Sequence, residues 1–92
     1  MGNTDMKDLA NWSEPMKGIY RYVLAANACY EIHVIKHPAS VQVKDATADL
    51  YLVGDWYNTE GDSEFTRERL NSDITVEQCV AAARQDYLSN FK

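Results

Sequence analysis

The stretch Cys29-Tyr30-Glu31-Ile32-His33-Val34-Ile35 alternates without a break. In an extended chain Tyr30, Ile32 and Val34 share one face, while Cys29, Glu31, His33 and Ile35 share the other. This is the pattern of a strand with one apolar face turned to a core. On its N-terminal side, Ile19-Tyr20-Arg21-Tyr22-Val23-Leu24 is rich in β-branched and aromatic residues and reads as another strand. Ala25-Ala26-Asn27-Ala28 separates the two, a weak turn compared with Asn-Gly, so a single long, bulged strand is the competing reading.

On the C-terminal side, Pro38 stops the ladder, because it has no N–H to donate. Ser40 to Lys44 has room for a short edge strand. Ala48 to Tyr57 is the third strong strand: Ala48, Leu50, Leu52 and Trp56 on one face, Asp49, Tyr51, Val53, Asp55 and Tyr57 on the other, with Gly54 marking a bulge. Asn58 to Ser63 is the best turn in the chain. Glu64 to Leu70 follows as an edge strand blunted by charges.

Thr75-Val76-Glu77-Gln78 is a capping box, with Thr75 capping the first turn and Gln78 reaching back. Val76, Cys79, Val80, Ala83 and Tyr87 form one apolar stripe, which predicts a helix running to about Leu88 or Asn90. The expected fold is α+β: a four-stranded antiparallel meander sheet with one C-terminal α-helix packed on one face (β-β-β-β-α), with or without a short N-terminal helix. Tyr30, Ile32, Val34, Leu50, Leu52 and the helical stripe should form the core. Residues 1–16 are expected as a poorly ordered arm, and residues 17–92 as a single domain.

Ninety-two residues, 46% apolar and 25% charged, fit one small globular domain rather than a disordered or collagen-like chain. The formal charge is −5, and it is sided: residues 1–44 sum to +1 and residues 45–92 to −6. Direct nucleic-acid binding normally needs a basic footprint, so it is disfavoured. There is no apolar run of the ~20 residues that span a bilayer and no signal-like N-terminus, which predicts a cytoplasmic protein without a membrane partner. Cys29 and Cys79 stand fifty residues apart with no CxxC pattern, and are expected as reduced, buried thiols.

Three constellations invite a functional reading. Cys29, Glu31 and His33 offer thiolate, carboxylate and imidazole on one strand face. However, same-face neighbours lie roughly 6.5–7 Å apart, awkward for one zinc ion. The acidic set Asp55, Glu60, Asp62, Glu64 and Glu68 offers a phosphate-like array, interrupted by Arg67 and Arg69. Tyr20, Tyr22, Tyr51 and Tyr57 offer rigid interface area on a sheet that a single helix leaves half uncovered. No nucleophile elbow, P-loop or glycine-rich dinucleotide motif is present, so no catalytic residue, cofactor or small-molecule substrate is assigned.

The stretches Tyr20 to His33 and Ala48 to Trp56 resemble small accessory proteins carried on conjugative elements of Gram-positive bacteria. The resemblance extends at most over residues 16–90 and brings no catalytic motif. It implies an intracellular accessory role in a mobile element. The expected function is therefore non-enzymatic, a protein-interaction module that binds a partner or itself through tyrosines. Its alternatives are an acidic nucleic-acid mimic that inhibits a DNA- or RNA-binding protein, and a metal-binding protein using Cys29, Glu31 and His33.

Overall fold

The computed structural model describes residues 6–25, 28–57 and 63–90. The alternating stretch is strand β3, Ala28–Lys36, at the centre of an antiparallel sheet in the order β1-β2-β3-β4-β5. Its neighbours are β2, Ile19–Ala25, and β4, Thr47–Tyr57; β1, Ser13–Met16, and β5, Ser63–Thr75, form the edges. The helix α1, Val76–Asn90, follows β5 directly and packs back on β3, β4 and β5. Every sheet neighbour is a chain neighbour, so the sheet is the simplest antiparallel meander.

The α+β architecture and the single C-terminal helix agree with the sequence pattern. The strand count does not: the sheet has five strands rather than four. The additional one, β1, comes from the stretch expected as an arm. It is held by a tight turn through Lys17 and Gly18, with Gly18 at φ +85°, and by the pairing of Met16 with Ile19. A side chain is strained at that φ, whereas glycine is not. The Gly18 amide donates to Glu14 Oε2 at 3.1 Å, and the Gly18 carbonyl accepts from Val34 N at 2.8 Å, tying the turn to the sheet. The segment Ser40 to Lys44 adds no strand; Val43–Asp45 forms a 3₁₀ turn instead.

Residues 6–12 also pack. Met6 and Trp12 are buried in the core, and Trp12 Nε1 donates to the Met6 carbonyl at 2.8 Å. The Trp12 ring lies 5.5 Å from the Tyr22 ring, centroid to centroid. The core joins these two residues to Tyr30, Ile32, Ala48 and Leu50 of the sheet and to Val76, Cys79, Val80 and Ala83 of α1. Val34, Leu52 and Tyr87 pack against it. The Tyr30 hydroxyl donates to Asp86 of α1, pinning helix to sheet.

The capping box is present in full. Gln78 N donates to Thr75 Oγ1, and Thr75 N donates to Gln78 Oε1, both at 3.0 Å. The Val76 amide is taken by the Ala46 carbonyl at 2.9 Å. The amides of Thr75, Val76 and Gln78 at the strand-to-helix transition thus each have an acceptor. Strand β5 is irregular just before it. The register slips on either side of Leu50, and Asp73 adopts φ +58° with its amide donated to Asp49 Oδ1 at 3.0 Å.

Candidate functional site

The helix covers one face of the sheet, and the register decides what the other face displays. Arg21 pairs with Glu31, Glu31 with Tyr51, and Tyr51 with Arg69. These four side chains form a row across β2, β3, β4 and β5 on the helix-free side. The adjacent row is Val23, Cys29, Val53 and Arg67, and the row on the other flank includes Ile19, His33 and Asp49.

Glu31 is the hub. It is only 2% exposed although it lies on the face that no helix covers. Arg21 donates through Nε at 3.0 Å and through an Nη at 2.8 Å to Oε2. His33 Nε2 lies 2.8 Å from Oε1, and an Arg67 Nη donates to the same oxygen at 3.4 Å. Burial pushes the Glu31 carboxyl upward. The hydrogen bonds from His33 and Arg21 and the charges of Arg21 and Arg67 more than offset this, and hold it below the ordinary carboxylate value.

Around the hub, the His33 and Tyr51 rings meet at a centroid distance of 4.6 Å, and the Arg69 guanidinium sits 5.9 Å from the Tyr51 centroid, within cation–π range. Val23, beside Cys29, is an exposed apolar residue of this face, 62% accessible. Of the chain's four arginines, Arg21, Arg67 and Arg69 stand on this face, and its acids among the described residues are Glu31 and Asp49. Among the described residues this face thus sets three guanidiniums against two carboxylates.

The residues singled out in the sequence are distributed differently from a single tyrosine surface. Tyr20 and Tyr22 point to the helix side and pack against the core; Tyr51 is on the open face. The physical reason is parity: Tyr22 lies opposite Tyr30, so both share the buried face. The side chain of Tyr57 lies outside the described residues. Of the acidic set, Glu68 is exposed, on the same side as Leu52, its register partner. Glu60 and Asp62, and the side chains of Asp55 and Glu64, lie outside the described residues.

Cys29, Glu31 and His33 do share the open face, but both Glu31 oxygens are engaged by cations and imidazole. Among the described residues no group of three or more His, Cys, Asp or Glu is placed to hold a metal ion. Both cysteines are free thiols, with Cys29 half-buried on the open face and Cys79 buried on the core-facing side of α1. Burial, and then the charge of Glu31, raise the Cys29 thiol above its ordinary value, and burial pushes Cys79 up to about 12. Neither is an activated nucleophile.

Of the open-face arginines, Arg67 and Arg69 were legible only as interruptions of an acidic run. Their partners, Glu31 for Arg67 and Tyr51 for Arg69, lie in other strands, and nothing local to residues 67–69 announces them. Fold and site together define a class: a small α+β domain with a meander sheet, helix-covered on one side and charged-aromatic on the other. No protein-family model matches the chain, and no curated protein or solved structure shows significant similarity to it.

Proposed function

We propose that the chain is a non-enzymatic interaction module that holds a carboxylate-rich segment of a partner protein against the helix-free face of its sheet. The observation that carries this reading is the row Arg21–Glu31–Tyr51–Arg69, flanked by Arg67. Arginine and tyrosine are the residues that dominate protein interfaces. Here Glu31 holds two of the arginines in fixed positions, so little side-chain entropy is lost when a partner arrives. Each guanidinium has five N–H donors, and Glu31 takes two from Arg21 and one from Arg67. The remaining donors suit carboxylates, while Val23 offers apolar contact beside them. The Tyr51 ring is already engaged by His33 and Arg69, which suits a protein segment better than a stacked nucleobase. The resemblance to accessory proteins of conjugative elements supports an intracellular setting for this role.

A photo-crosslinking residue placed at Val23, on the open face, and another at Ser89, on α1, test the reading in producing cells. The Val23 probe should give a protein adduct that is lost in Arg69→Glu and weakened by high salt during capture. Adducts from Ser89 alone, or a Val23 adduct indifferent to Arg69→Glu, would overturn it. An adduct of twice the chain's own mass would reassign the face to a second copy.

A further inference from the structure

The segment before β1 is built as a separate piece. Four hydrogen bonds close within it. Ala10 N donates to Asp8 Oδ1 at 3.3 Å, Asn11 N to the Asp8 carbonyl at 2.9 Å, and Trp12 N to the Leu9 carbonyl at 3.0 Å. These wind a 3₁₀ turn, Leu9–Asn11. The Trp12 indole N–H then donates to the Met6 carbonyl at 2.8 Å and closes the segment end to end. Its grip on the rest of the fold is concentrated in the two end side chains. Met6 and Trp12 are buried, whereas Lys7, Asp8, Ala10 and Asn11 are exposed and Leu9 is half-buried. Between the two anchors, a cavity of about 590 Å³ lies between Lys7 to Leu9 and the residues Val80, Ala81 and Gln85 of α1.

Lifting this segment carries its four hydrogen bonds along and gives up the burial of two large side chains. The remaining core keeps its own ties: Tyr30, Ile32 and Leu50 of the sheet still face Val76 and Cys79 of α1, and the Tyr30 hydroxyl still reaches Asp86. Proteins open in cooperative units of this kind, at free energies below that of global unfolding. We infer that residues 6–12 are a separable plug, which lifts as one unit while sheet and helix stay folded. The seat it uncovers binds an apolar segment with the same two anchors, an aromatic and an aliphatic side chain six residues apart. The occupant whose fit is shown is residues 6–12 themselves, so the external occupant is the same segment of a second copy. The plug is then an internal competitor for that seat. Trp12 meets Tyr22, on the helix side of the sheet, so the seat is independent of the open face.

The test uses the full chain carrying Met6→Cys, alkylated under native conditions and mapped by mass. The thiol at position 6 should react at least tenfold faster than Cys79, whose native burial is the same as that of Met6, because the plug opens while the core stays closed. Equal rates would mean that the segment leaves only with global unfolding, and would overturn the inference. The tethered plug competes at an effective concentration of roughly millimolar, so a synthetic peptide of residues 5–13 is added at that level. It should speed the reaction at position 6 in a saturable way, by keeping the plug out of its seat, while the same peptide with Trp12→Ala should not. No acceleration, or the same acceleration by both peptides, would overturn the seat as a binding site. If the Met6→Cys chain does not fold, hydrogen exchange of the native chain decides. The Trp12 indole proton should be at least tenfold less protected than the most protected amides of β3, and equal protection would overturn the plug.

Discussion

At the residue scale, Glu31 shows how one carboxylate can organise a sheet face. A lone buried carboxylate is costly, and here Arg21, Arg67 and His33 supply the compensation. Glu31→Gln removes the charge and keeps the shape, and should destabilise the fold by about 1–3 kcal/mol at neutral pH. The pH dependence follows from the depressed carboxyl. A group whose folded value lies below its unfolded value of 4.5 contributes fully above that pH and loses its contribution as pH falls through the folded value. The melting temperatures of native chain and Glu31→Gln should therefore differ most above about pH 4.5 and converge in more acid solution. A gap that stays constant down to pH 2–3 would contradict the ion-pair account. The strand parity that put Glu31 opposite the core face was legible in Cys29 to Ile35. Its partners were not, because Arg21 and Arg67 come from strands whose register no local pattern specifies.

At the element scale, the N-terminal segment is the instructive case. Its polar texture and Pro15 suggested an arm, and the strand β1 is indeed short, only four residues, Ser13–Met16, all of them exposed. Besides the turn at Lys17 and Gly18, what holds it is the anchor before it rather than strand propensity. Trp12 is buried against Tyr22, and its indole N–H is satisfied by the Met6 carbonyl. Trp12→Ala should cost about 3–5 kcal/mol, a large fraction of the stability of a domain this small. Chemical denaturation monitored by far-UV circular dichroism would measure it, and a loss below 1 kcal/mol would mean that the segment is a loose appendage. The C-terminal helix stood at the other extreme. Its cap and its apolar stripe are both contiguous signals, and α1 begins at Val76, directly after Thr75, as the capping box requires.

At the scale of the whole molecule, a single helix covers one side of a five-stranded sheet and divides the side chains into two environments. A 15-residue helix is ~22 Å long, whereas the 11-residue β4 spans ~36 Å, so the helix cannot run the full length of the β4–β5 hairpin. The same division separates the thiols: Cys29 lies on the open face and Cys79 in the core, on the inner side of α1. Under mild oxidation the folded chain should form no internal disulfide. Native-state alkylation should modify Cys29 slowly and Cys79 only after unfolding, which intact-mass measurement would read directly. Rapid alkylation of Cys79 in the folded chain would contradict its place in the core.

The order of the main strands, the alternation of β3 and β4 and the capped helix were written in the sequence, because each depends on periodicity and turn chemistry within a few residues. Only the tertiary structure decided which tyrosines are core and which are surface. It alone recruited Met6 and Trp12, and made two arginines and an imidazole the partners of Glu31. Those outcomes rest on register and on packing between segments far apart in the chain. Register is enforced by burying one face of the whole sheet at once, a condition that no single stretch of residues contains.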